Sequence, residues 1–170
     1  IGWSAAEFAA VGVEFAGRGE RADEYVEAMR VLWRDDVSTF QGTRVWFDRV
    51  RCYPKPLGRR IPIVIGGNSE AALDRVARYG DGWYGFGLAS DQVGDRLAEL
   101  DAACRRRGRS RSDISVAVSL SDAAPDHVGD LAALGVDEVV LIGAPPGRAD
   151  DAAPWVNDLA DQWGVGSTPA

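Results

Sequence analysis

The stretch with the most chemical promise runs Ile63-Val64-Ile65-Gly66-Gly67-Asn68-Ser69-Glu70-Ala71-Ala72-Leu73, a hydrophobic run meeting two glycines, two capping residues and a helical pattern. Gly66 and Gly67 lack the Cβ atoms that keep a ligand off the backbone. Asn68 or Ser69 can cap the following helix, whose first N–H groups have no partner within the helix and point outward. With the positive end of the helix dipole, this makes an anion site suited to a phosphate. The same residues also suit a plain strand-to-helix turn with an ordinary N-cap, and residue types alone leave both readings open.

Other residues offer less. Trp83 and Tyr84 follow Gly82 on a short strand, where an aromatic side chain either flanks a planar ring or fills the core. Lys55, Arg59 and Arg60 precede the first strand of the repeating pattern and lie at its N-terminal end, whereas β/α folds place active sites beyond the strand C-termini. They read as solvated charges or as residues of a substrate-binding insertion. Arg105, Arg106 and Arg107 read as a solvated helix C-terminus, where the dipole favours cations. His127 is the single histidine, cannot build a multi-histidine metal site, and reads as a surface residue. No Ser-His-Asp, Cys-His or close carboxylate-pair pattern is evident, so no catalytic residue is assigned and no metal is expected.

Composition narrows the classes. The chain has 170 residues, 46% of them hydrophobic, enough for one core and a single domain. A net charge of −7 argues against nucleic acid as a partner, which needs a basic stripe. Any anion must then be held by local geometry. Two cysteines, Cys52 and Cys104, without CxxC spacing fit a reducing cytoplasm better than a disulfide framework. No apolar run approaches the length of a membrane span, and no signal peptide is seen. The chain opens Ile1-Gly2-Trp3 and its one methionine is Met29, so the expectation is a sequence cut ahead of Ile1.

The elements that must position the loop follow a strand-loop-helix rhythm. Strands are expected at Ile61–Ile65, Gly82–Phe86, Ile114–Leu120 and Val139–Ile142. Helices between them place Leu73, Val76 and Ala77 on one face, then Val93, Leu97, Leu100 and Cys104, then Val128, Leu131 and Leu134, with Trp155, Leu159 and Trp163 last. Such units imply a parallel sheet covered by helices. An intact doubly wound domain and half of a (β/α)8 barrel both satisfy the pattern; a full barrel needs eight units and about 250 residues. Ahead of them, Ser4–Val11 and Arg21–Arg34 read as helices, the second with Tyr25, Met29, Leu32 and Trp33 on its apolar side. Residues 37–60 read as an inserted excursion, with Thr39-Phe40-Gln41-Gly42 as a turn and Val45-Trp46-Phe47 as an edge strand. The tail 164–170 is expected to lack order.

Several stretches in order resemble the luciferase-like monooxygenase family, particularly its branch using the deazaflavin F420. They are Gly2-Trp3 with Glu7, Arg21-Ala22-Asp23-Glu24 opening a helix that ends Leu32-Trp33, Phe40-Gln41-Gly42, Pro54-Lys55-Pro56, Pro62-Ile63-Val64-Ile65-Gly66-Gly67, and Tyr79-Gly80-Asp81-Gly82-Trp83. The resemblance spans residues 1 to about 120 and weakens beyond. It implies an α/β fold, the C-terminal half of a (β/α)8 TIM barrel contributing about strands 5–8, with an insertion before the first of them. It also implies that Ile65, Gly66, Gly67, Asn68 and Ser69 contact the phosphate of F420, or alternatively FMN. Gly82, Trp83 and Tyr84 would then lie beside the cofactor, and Trp3 and Glu7 near its ring and ribityl chain. The implied parent activity is hydride transfer between F420 and a small organic substrate, with an FMN-dependent two-component monooxygenase as the alternative. The family's first strands, which carry much of the ring pocket, have no counterpart in this sequence. A half barrel exposes strand edges and apolar helix faces, so self-association into a homo-oligomer, with or without catalysis, is expected.

Overall fold

The computed structural model describes residues 1–165. The chain forms two compact units, Ile1–Ile63 and Val64 onward.

In the first unit, α1 (Ala5–Ala10) is capped by Ser4, whose hydroxyl accepts from the Glu7 N–H. The longer α2 (Arg18–Arg34) starts earlier than its apolar pattern indicates. Its buried residues are Arg21, Val26 and Ala28, whereas Tyr25 and Met29, expected inside, are exposed. Arg21 tolerates burial because its guanidinium donates to the Glu14 carbonyl and faces the Phe8 ring. Strands β1 (Ser38–Gln41) and β2 (Trp46–Val50) form an antiparallel hairpin. Thr39-Phe40-Gln41 is therefore strand, not the turn expected from sequence; the turn falls one step later, where the Gly42 N–H donates to the Val45 carbonyl at 2.8 Å. The Glu24 carboxylate on α2 holds that turn by accepting from the N–H groups of Arg44 (2.6 Å) and Val45 (2.7 Å).

The second unit is the α/β part. Strands β3 (Val64–Gly66), β4 (Gly82–Leu88), β5 (Ser115–Leu120) and β6 (Glu138–Val139) form one parallel sheet in sequential order. Between them run α3 (Glu70–Tyr79), α4 (Val93–Arg106) and α5 (His127–Ala133), with α6 (Ala152–Gln162) last. The outer strands are shorter than their sequence runs: the first begins at Val64, not Ile61, and the last ends at Val139, not Ile142. The α4 periodicity is realised in full, with Val93, Leu97, Leu100 and Cys104 all buried. On α5 only Leu131 is buried, and Val128 and Leu134 are exposed.

Register defines the two faces of the sheet. Ile65, Trp83 and Val116 align in one row and, with Val118, are buried on the face that α3 covers, with α4 packed on α3. Val64, Tyr84 and Ala117 alternate to the opposite face, which is less covered; Val64 is 56% exposed. Gly82 is what lets β3, β4 and β5 approach: a Cβ there would sit 2.5 Å from the Ser115 hydroxyl and 3.1 Å from Val64. No helix among the described residues is long and apolar enough to cross a membrane. The expectation for the tail falls largely on residues 166–170, outside the described residues.

Candidate functional site

The Gly66–Ser69 loop joins β3 to α3 at the C-terminal edge of the sheet. Gly67 has φ +115°, a conformation only glycine adopts without strain, and a Cβ there would stand 3.3 Å from that of Ala72. Above Gly66 the space is open, with nothing within 4 Å of where a Cβ would be. Ser69 is the N-cap: its hydroxyl accepts from the Ala72 N–H at 3.3 Å and its carbonyl from Leu73 at 3.0 Å. The N–H groups of Asn68, Ser69, Glu70 and Ala71 have no acceptor among the described residues. Four N–H groups without an acceptor, at and just before a helix N-terminus and beside a bare glycine, fit a phosphate.

The loop is held from behind. The Gly67 N–H donates to the Tyr84 carbonyl at 3.2 Å, and the Trp83 indole N–H donates to the Gly67 carbonyl at 2.9 Å. Trp83 is fully buried, so it supports the loop and does not present a surface to a ligand. Tyr84, one residue on, is on the open face beside Phe86, with ring centroids 6.3 Å apart. A shallow depression of about 350 Å³ lies on this face, lined in part by Val64, Tyr84, Ala117, Glu138 and Val140. Gly82 is buried between neighbouring strands and Ile65 faces the core, so neither presents a side chain to the open face.

Asn68 has a role that residue type did not reveal. Its carboxamide donates to the Phe86 carbonyl at 2.8 Å and accepts from the Phe86 N–H at 3.3 Å, extending β3–β4 pairing past the end of the ladder. Nearby, the Ser90 hydroxyl and N–H both donate to the Asp122 carboxylate, at 2.7 and 2.9 Å. That hydroxyl holds the Asp122 carboxyl below the usual carboxylate range and ties the loops after β4 and β5 together. His127 is half-buried, and its Nδ1 has no hydrogen-bond partner.

Three cations have partners that their sequence reading did not supply. Lys55 donates to the carbonyls of Leu32 (2.6 Å) and Asp35 (2.5 Å), and Arg59 to the carbonyl of Arg34 and the carboxylate of Asp36 (both 2.8 Å). They satisfy the C-terminal end of α2, where free carbonyls and the dipole both favour a cation. Arg107 is a bidentate partner of Asp74, joining α4 to α3. Trp3 and Glu7 belong to the first unit; Trp3 is 86% exposed, and Glu7 stands in the first turn of α1.

Comparison with known proteins gives this geometry a family. The model of the luciferase-like monooxygenase family matches residues 1–127. The chain belongs to that family. An uncharacterized protein of Mycobacterium tuberculosis is 35% identical over 163 residues, covering 94% of this chain and 56% of its own. The FMNH(2)-dependent dimethylsulfone monooxygenase of Pseudomonas fluorescens is 42% identical over 86 residues, covering 49% of this chain and 23% of its own. Among solved structures, the F420-dependent tetrahydromethanopterin reductase of Methanopyrus kandleri superposes with a TM-score of 0.60 at 16% identity, over 69% of this chain and 38% of its own. This luciferase-like chain thus spans about half the length of the mycobacterial relative. Its similar proteins include both F420-dependent and FMNH(2)-dependent enzymes.

Proposed function

We propose that this luciferase-like chain carries the cofactor-phosphate site of an F420-dependent oxidoreductase, and that its parallel sheet is strands five to eight of a (β/α)8 barrel. The observation carrying the reading is the turn Gly66-Gly67-Asn68-Ser69, where the N–H groups of residues 68–71 have no acceptor among the described residues and Gly66 leaves the approach open. F420, when bound, supplies a deazaflavin ring that exchanges hydride with an organic substrate. The chain's own residues do the holding. The N–H groups of residues 68–71 donate to the phosphate oxygens, Trp83 and Asn68 fix the loop that presents them, and Tyr84 borders the space beyond. The chain has a net charge of −7, so binding rests on these aimed donors and not on a general positive field.

A second reading is an FMN-dependent monooxygenase, favoured by the FMNH(2)-dependent relative. Both cofactors present a phosphate to the same loop. Equilibrium dialysis of the chain against equimolar F420 and FMN separates them. Enrichment of F420 supports the first reading, enrichment of FMN replaces it with the second, and retention of neither overturns both.

A further inference from the structure

Strand β4 is irregular where it passes the loop. Gly85 pairs with Val118 and Leu88 with Leu120, so Phe86 and Gly87 together oppose the single residue Ser119. This is a β-bulge, with Gly87 at φ +62°. The bulge interrupts the β4–β5 ladder at Gly87, while on the other side β3 has already ended at Gly66, and a side chain takes up the open backbone groups on each side. From the β3 side the Asn68 carboxamide takes both backbone groups of Phe86. From the β5 side the Ser119 hydroxyl accepts from the Gly87 N–H at 3.0 Å. Ser119 is fully buried, one of few polar residues so placed in this unit. An apolar residue there would leave the Gly87 N–H without an acceptor in the sheet.

We propose that Asn68 and Ser119 are positioning residues for the phosphate site, acting through the Phe86–Gly87 bulge that they hold between them. The inference rests on the functional reading of the Gly66–Ser69 loop and deepens it. Asn68 contributes to that loop in two ways. Its own N–H is one of the four without an acceptor among the described residues, and its carboxamide anchors the residue to the Phe86 backbone. Ser119 lies on β5 and has no part in the loop, yet it secures the far side of the same two residues. Loosening either end frees the loop, which then must be ordered at the moment of binding.

The test joins a ligand-free measurement to a ligand-dependent one. Backbone amide exchange is measured by NMR for residues 66–71 and 85–88 in the wild-type chain, Asn68→Ala, Ser119→Ala, and the core control Val93→Ala. Dissociation constants are measured for FMN and riboflavin, which differ by the phosphate, with F420 in parallel. Both positioning variants are expected to speed exchange at the loop and bulge. They should also reduce the wild-type preference for FMN over riboflavin by about tenfold, while riboflavin binding changes by less than about twofold. Val93→Ala should alter global stability and leave the preference as in wild type. Unchanged exchange and unchanged preference in both variants overturn the inference alone. A wild-type chain that does not discriminate FMN from riboflavin, and does not bind F420, overturns the functional reading and the phosphate role of both residues with it.

Discussion

The indole N–H of Trp83 donates to the carbonyl of Gly67 at 2.9 Å, from a side chain with no exposed surface. The largest buried side chain of the sheet is thereby joined to the one loop residue that must be glycine. Trp83 fills the space under α3 and also fixes the direction of the peptide leading to the open donors of residues 68–71.

Trp83→Phe keeps most of the ring and removes the donor, leaving a carbonyl without its partner. It should destabilise the chain by about 1–3 kcal/mol. Trp83→Ala adds a cavity and should cost about 3–5 kcal/mol. Urea denaturation followed by circular dichroism measures both, and a Trp83→Phe protein as stable as wild type would count against the hydrogen bond.

The two loop glycines should separate stability from binding. Gly67→Ala forces a Cβ onto φ +115° and against Ala72, and should destabilise by about 1–3 kcal/mol. Gly66→Ala meets nothing within 4 Å and should fold with near wild-type stability while weakening binding of a phosphate-bearing cofactor. Thermal melts paired with cofactor titrations of the two variants check this. A Gly66→Ala protein that binds as wild type would place the ligand elsewhere.

Much of this is legible in the sequence because it is local. A strand, two glycines and a cap announce the Gly66–Ser69 turn, and the spacing of Val93, Leu97, Leu100 and Cys104 announces a buried helix face. What stays hidden depends on register between distant segments. Which way Trp83 points follows from strand parity once α3 is known to cover that face. The carboxamide of Asn68 finds Phe86 because β3 ends at Gly66 and leaves the backbone of Phe86 open on that side. The cations at 55 and 59 read as solvated in the sequence because nothing local shows that α2 ends beside them.

Lys55 should matter to the first unit through those carbonyls. Lys55→Met keeps the aliphatic stem and removes the ammonium that caps α2, and should cost about 1.5–3 kcal/mol. Loss of amide protection in the last turn of α2 is the expected signature in hydrogen exchange, with no change in the protection of α3 or α4.

The Glu24 carboxylate gives the hairpin a pH dependence. The Arg44 N–H, followed by that of Val45, lowers its pKa from the ordinary value of 4.5, against an opposing desolvation. A depressed folded-state value means the stabilisation is fully present above the unfolded pKa and is lost as pH falls through the folded one. The Arg44 and Val45 amides should therefore move as a pair in an acid titration, with a midpoint below 4.5. In Glu24→Gln that transition should vanish; its persistence would assign it to another carboxylate.

The most direct measurement is a fluorescence titration of the wild-type chain with two matched pairs: FMN against riboflavin, and F420 against its phosphate-free deazaflavin chromophore. If the Gly66–Ser69 loop holds a cofactor phosphate, one phosphate-bearing member should bind saturably and its partner more weakly by about tenfold or more. Equal binding of both members of whichever pair binds would contradict a phosphate site at this loop.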